Sequence, residues 1–279
     1  MHRTSRALAY LVQRHLLRRR LLAGRAEEFE LTLRFKAADV MGRHIYKYGV
    51  YEEEITRFLL DQLTLEPGDV VLDVGANIGW YSLLLARHRP GIRVHGFEPD
   101  PETFALLEHN VRANGLDGVR VWPCALSDSP GAKTLYRYAD KNTGRNSLLP
   151  INSGGSVEIA CRRLDEFVER EGVDMDRVRF AKVDVEGYEA VVLRGMGGLL
   201  ARLPLVLAEY SPRYMRRGGQ DPAEVPALFH GAGFTAWRLA AGGLVPVTAA
   251  ELSAQTANTN LFWVNEALRP RLPLRRPPA

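Results

Sequence analysis

Residues 70–82 read V-V-L-D-V-G-A-N-I-G-W-Y-S: a β-branched run, one acid, two glycines four positions apart, then an apolar stretch. A strand that turns through glycines straight into a helix is the opening unit of an α/β sheet. The residues that follow repeat it. Strands are predicted at 70–74, 92–97, 119–125, 178–185 and 205–209, with helices at 78–89, 101–114, 188–200 and 222–231. The helix at 101–114 has Pro101 at its first position and Gly115 just past its end. Strands at 234–239 and 260–264 close the pattern. Such alternation implies a mostly parallel sheet with helices on both faces.

Upstream, residues 4–23 read as a basic amphipathic helix, with Leu8, Leu11, Val12, Leu16 and Leu22 near helical spacing. Packing on the domain is the simplest use for it; contact with an anionic membrane surface or a partner is the other. Residues 29–35 alternate as a strand and 44–48 are the expected partner, joined through A-A-D-V-M-G. Residues 51–63 read as a helix with an acidic first turn, Glu52-Glu53-Glu54. One segment breaks the rhythm: 128–163 holds two strand-like runs, 133–138 and 157–163, around a polar, Gly-rich loop at 139–156 that reads as a lid. The expected organisation is a basic helix at 1–25, a single domain at 26–266 carrying that insertion, and an Arg/Pro-rich tail at 267–279.

Charge narrows the partners. The net +4 is misleading: residues 1–25 carry seven arginines and no acid, and the segment after Glu266 carries four more, leaving 26 basic against 33 acidic residues between them. An acidic body argues against a nucleic-acid acceptor. No apolar run reaches the roughly 18–20 residues that span a bilayer, and the N-terminal leucines are split by arginines, unlike a secretory leader. Cys124 and Cys161 lie far apart and form no C-x-x-C, which suggests reduced thiols in a cytoplasmic protein. Arginine outnumbers lysine 32 to 5, which suggests a GC-rich bacterial genome.

In open α/β sheets ligands bind beyond the carboxyl ends of the strands. Gly75 and Gly79 fall there, but the run is G-A-N-I-G rather than G-x-G-x-x-G. The glycine that admits a pyrophosphate is replaced by Asn77, and Asp73 stands two residues ahead of the loop. A carboxylate there disfavours phosphate and favours a cation. S-adenosylmethionine, with an ammonium, a sulfonium and no phosphate, fits better than a dinucleotide. Glu98 ends the second strand, where an acid commonly bonds ribose hydroxyls. By topology Ala125, Leu126 and Ser127 fall beside an adenine.

A second cluster follows the fourth strand. In F-A-K-V-D-V-E-G-Y-E, strand alternation puts Lys182, Asp184 and Glu186 on one face, and Glu209 ends the next strand. Three charges on one face of a central strand are costly unless they are paired or serve a site. Asp184, Glu186 and Glu209 are the candidates for positioning an acceptor or removing its proton. A structural network with Lys182 and a site for Mg²⁺ are the alternatives; no metal is expected. Pro123-Cys124 resembles the cytosine-C5 methyltransferase nucleophile but sits on the wrong strand. The fourth strand lacks the N/D-P-P-Y of adenine-N6 enzymes, and no nucleophile elbow, P-loop or H-x-x-x-H is present.

Together V-L-D-V-G-A-N-I-G-W-Y-S, F-E-P-D-P-E-T-F-A-L-L-E-H-N-V and A-K-V-D-V-E-G-Y-E-A-V-V-L-R-G resemble the FkbM-type S-adenosylmethionine-dependent methyltransferases, as do G-V-Y-E-E-E and N-T-N-L-F. The resemblance spans roughly residues 48–264. It implies a class I, Rossmann-like α/β fold with a seven-stranded sheet in the order 3-2-1-4-5-7-6, the last strand antiparallel. It implies O-methylation of a small-molecule, natural-product or sugar hydroxyl. Asp73, Gly75, Asn77 and Gly79 would form the cofactor loop, Glu98 would hold the ribose, and Asp184 and Glu186 would sit at the reaction centre. Amine, protein or RNA acceptors, or a catalytically silent binding fold, are the alternatives.

Overall fold

The alternation builds a single twisted sheet of eight strands. The structure, a computed structural model, describes residues 3–138, 143–241 and 243–276. Helix α1 (Arg3–Leu11) runs through a π-turn, Val12–Leu16, into β1 (Leu21–Ala26), which pairs antiparallel with β2 (Leu31–Lys36). Then come α2 (Val40–Tyr48), α3 (Glu53–Gln62), β3 (Val70–Val74), α4 (Trp80–His88), β4 (Arg93–Phe97), α5 (Pro101–Asn114) and β5 (Val119–Trp122). A small outlying sheet comprises β6 (Ala125–Leu126), β7 (Gly131–Tyr136) and β8 (Ser156–Arg162). The alternation resumes with α6 (Leu164–Glu171), β9 (Val178–Val183), α7 (Glu189–Met196), β10 (Leu205–Tyr210), α8 (Pro212–Arg217) and α9 (Glu224–Gly231). It ends with β11 (Phe234–Ala240), β12 (Gly243–Pro246), α10 (Ala249–Ala254) and β13 (Thr259–Asn265).

The main sheet runs β12-β11-β13-β10-β9-β3-β4-β5. Five strands from β10 to β5 are parallel, and β13 lies antiparallel between β10 and β11. Chain direction across the sheet reverses between β3 and β9, so their carboxyl ends frame the crevice where α/β sheets bind ligands. Eight strands replace the expected seven, because the segment after β11 folds back as β12 and extends that edge. All five residues of β3 are buried, which explains its unbroken apolar run. One core packs β1, β2, α3 and α4 against one face of the sheet; the other packs α6, α7 and α9 against the opposite face. Trp80 joins the N-terminal extension to the first core, edge-on to Phe29 at 5.5 Å and donating to Thr56 Oγ1 at 2.9 Å.

Three expectations need correction. The N-terminal helix ends with its π-turn at Leu16, and residues 21–26 are a strand whose alternate side chains are buried by pairing with β2. That pairing also displaces residues 44–48, which belong to α2. Asp39 caps α2, accepting from the Gly42 amide at 2.7 Å, and Gly49 ends it at φ +79°. The segment after Glu266 is not a loose tail: Leu272 and Leu274 are buried, and Leu274 bridges to Leu63. The insertion is a hairpin, β7 against β8, as its two runs suggest. Residues 139–142 of its loop lie outside the described residues.

Candidate active site

The loop after β3 is shaped by contacts that exclude side chains. Gly75 sits at φ +81°, and a Cβ there would stand 1.9 Å from the Asp184 carbonyl oxygen, so the loop and the end of β9 approach backbone to backbone. Gly79, at φ +94°, opens α4, and a Cβ there would meet Leu107 at 2.6 Å. Its role is to seat α4 against α5, and it lines no described cavity. Asn77 holds a left-handed φ of 52° without being glycine, and its amide donates to Glu98 Oε2 at 3.0 Å. Strain of this kind, held in place by its surroundings, is typical of ligand-binding turns.

Two adjoining cavities open at the crevice. The first is mainly apolar, lined by Val74, Phe97, Glu98, Ala125, Leu126 and Leu148 among others. The second, of about 270 Å³, is lined by Tyr51, Glu52, Asp73, Lys182, Glu209 and Tyr214 among others. Gly75, Asn77, Gly144, Asp184 and Glu186 line both and so mark their junction. Gly144 and the neighbouring Arg145 to Leu148 come from the insertion, whose hairpin therefore lies over both openings. Ser147 Oγ pins it, donating to the Glu186 carbonyl at 2.8 Å, and Arg137 pairs with Asp100 at 2.6 Å.

Glu98 is buried in the first cavity's wall, its two oxygens accepting from the Asn77 and Asp100 amides. Burial pushes its carboxyl up to about 8 despite those bonds. A carboxyl raised on folding stabilises the protein below its ordinary value near 4.5, and that contribution is lost as pH rises through about 8. Glu98→Gln, which carries no charge but leaves one of the two amides without an acceptor, is therefore expected to lose less stability than the unaltered ligand-free protein as pH rises through about 8. Thermal unfolding across pH checks this; parallel curves for the two proteins would contradict it.

Ser127, expected in this cavity, is not there. It is fully buried, its Oγ lies 3.1 Å from Tyr188 Oη, and its amide pairs with the Arg162 carbonyl at 2.8 Å. The small outlying sheet turns it inward and leaves Ala125 and Leu126 facing the cavity.

The second cavity concentrates negative charge. Asp73 is 2% exposed; its Oδ2 accepts from Ser82 at 2.6 Å, while Oδ1 has no partner among the described residues. Lys182 Nζ lies 2.7 Å from Asp184 Oδ2 and 4.9 Å above the Tyr81 ring. Burial works against the charge of Lys182, but Asp184, Asp73 and Glu52 outweigh it and hold the ammonium protonated. Glu186 is presented by a left-handed turn, φ +53°, one residue past Val185, because β9 ends at Val183. Strand alternation therefore does not bring it to Asp184; the turn before Gly187 does. Asp184, Glu186 and Glu209 offer oxygens within 4.8 Å of one another, a spacing that a metal ion could bridge. Burial, then the neighbouring acids, raises Glu186 well above the usual carboxylate range and Glu209 to about 8. Ser211 Oγ donates to Glu209 at 2.6 Å.

Several site residues escaped the sequence reading. Glu52, at φ +44°, accepts from Tyr81 Oη and from Asn260 Nδ2, the latter at 3.2 Å across 208 residues of sequence. Y-E-E-E and N-T-N-L-F thus meet at one wall, although neither run by itself places a residue in the site. Tyr51, Tyr214 and Asn258 complete that wall. Cys124 is buried, with its thiol pushed up to about 11, which leaves it inert. His95 stacks on Trp122 and is held neutral, its basicity lowered to about 4 by burial.

The residues present fit S-adenosylmethionine. The orphaned oxygen of Asp73 and the surplus of carboxylates suit a cation, the glycine loop leaves room for close approach, and the apolar cavity ending at Glu98 suits a nucleoside. Comparison with known proteins agrees. The methyltransferase FkbM domain family matches residues 73–236. The chain is 32% identical over 208 residues to the 31-O-demethyl-FK506 methyltransferase FkbM of Streptomyces tacrolimicus, covering 64% of this chain and 77% of that one. It is 33% identical over 178 residues to the hexuronic acid methyltransferase AglP of Haloferax volcanii, covering 63% and 67%. It is 26% identical over 168 residues to the 2-O-methyltransferase NoeI of Sinorhizobium fredii, covering 55% and 68%.

Proposed function

This chain belongs to the FkbM methyltransferase family, and we propose that it is an S-adenosylmethionine-dependent O-methyltransferase whose acceptor is a hydroxyl of a small molecule, natural product or sugar seated among Tyr51, Glu209 and Tyr214. The observation that carries this reading is the junction of the two cavities, where Asp184 and Glu186 stand between an apolar slot and an acidic, polar chamber. Two of the relatives are named for methylation at oxygen and a third for a hexuronic acid.

When bound, the cofactor supplies a methyl group on a positively charged sulfur. Glu98 would accept from the ribose hydroxyls, Ala125 and Leu126 would face the base, and Asp73 would bind the ammonium. Asn77 and Gly75 hold the loop close to the end of β9. Asp184, fixed by Lys182, would orient the acceptor hydroxyl. Glu209 would take its proton, because a carboxyl raised to about 8 is well matched to work near neutrality. The hairpin residues Gly144 and Arg145 would help to exclude water.

A base that must be ionised gives a rate that climbs with pH. The value of kcat/KM is therefore expected to rise up to about 8 and then level, and Glu209→Gln should flatten that limb. A pH-rate profile at acceptor concentrations well below KM reads this directly. The reading as a whole is tested by labelled methyl transfer to hydroxylated acceptors and to their amino analogues, with and without a chelator. Labelled ether from the hydroxyl series, unaffected by chelation, supports it. Transfer to amines alone refutes it, and a chelator-sensitive rate restored by Mg²⁺ would place a cation among Asp184, Glu186 and Glu209.

A further inference from the structure

The N-terminal segment presents its apolar side chains the wrong way round for a helix that merely packs. Tyr10 anchors it: the ring is 2% exposed, lies 5.9 Å from Tyr46 of α2, and its hydroxyl donates to the Ala37 carbonyl at 2.6 Å. Gln13 adds a bond to Tyr46 Oη at 2.7 Å, and Arg6 pairs with Glu27 at 3.1 Å. With that side held against the domain, Leu8, Leu11, Val12, Leu16, Leu17 and Leu21 point outward, between 38% and 75% exposed. They are six of the eight large hydrophobic residues exposed among the described residues. A concentration of this kind on a monomer marks a contact surface.

The charge beside it identifies the contact. Arg18, Arg19 and Arg20 are exposed directly after Leu16 and Leu17, and no acid occurs before Glu27. Leucines flanked by arginines match the acyl boundary and the anionic headgroups of a membrane surface together. A symmetric second copy would set the same arginines against each other. No helix among the described residues is long and apolar enough to cross a membrane, so the contact lies in the interface plane. We infer that residues 8–21 dock the enzyme on an anionic lipid bilayer through the outward leucines and Arg18–Arg20. The segment packs on α2, whose first residues, Val40 and Met41, line the acidic cavity, so docking sets that rim of the site toward the lipid.

Flotation of the full chain with vesicles of phosphatidylcholine, and of phosphatidylcholine with phosphatidylglycerol, tests this. Binding is expected to the second kind alone and to weaken with salt. Replacing Arg18, Arg19 and Arg20 together by Glu should weaken it about a hundredfold. Leu16→Ser with Leu17→Ser should weaken it about a hundredfold. Both variants should keep unaltered S-adenosylhomocysteine affinity, which shows that they fold. Absence of vesicle binding, or equal binding of all three proteins to both vesicles, would overturn the inference. So would a concentration-dependent dimer, seen by light scattering without lipid and lost in the leucine variant, because a second copy would then cover the patch.

Discussion

Asp73→Asn is expected to weaken S-adenosylhomocysteine binding by about two to three orders of magnitude, the usual loss when one partner of a buried charge pair is neutralised. The substitution keeps the side chain's shape and the hydrogen bond to Ser82, so it isolates the charge. In the empty site that charge is a burden. Burial raises the Asp73 carboxyl, Lys182 offsets this only in part, and one oxygen has no partner. Removing the charge should therefore leave the ligand-free protein at least as stable, while the ligand's ammonium loses its counter-ion. Calorimetric titration beside thermal unfolding separates the two effects. Unchanged affinity would make Asp73 a structural partner of Lys182 and Ser82.

Glu209→Gln is expected to lower kcat by about two to four orders of magnitude, the range for a general base, with little change in cofactor affinity. Glu186→Gln should lower it comparably, because its carboxyl stands beside Glu209 and both are raised by burial and neighbouring acids. The double variant should lose little more than either single one, as expected of groups that act as a unit. Single-turnover methyl transfer gives the rate of the transfer step free of product release. Full turnover by both variants would move proton removal elsewhere in the cavity.

Much of this site was legible because its signals are local. The run V-V-L-D-V could only be a strand buried on both faces, and Gly75 could only be glycine where a Cβ would strike the Asp184 carbonyl. Asp100 and Gly115 cap α5 as their residue types require, with the Asp100 side chain accepting from the Glu102 and Thr103 amides. These features depend on neighbours within a few residues, where periodicity and φ preferences carry the information. Tertiary structure decided the rest. Residues 21–23, L-L-A, read as the end of the basic helix, and pairing with β2 makes them strand instead. Glu186 reached Asp184 by a left-handed turn that non-glycine residues rarely adopt, so strand alternation could not place it. Ser127 was turned away by a sheet whose partner strand begins 29 residues later, at Ser156. Glu52 met Asn260 only because β13 inserts beside β10, and no local pattern reports which distant strand will cover an acid. The sequence by itself determined the strand–loop–helix that opens the crevice, because steric limits act residue by residue. The wall that faces the acceptor was decided by long-range pairing, because its residues are neighbours only after the sheet has closed.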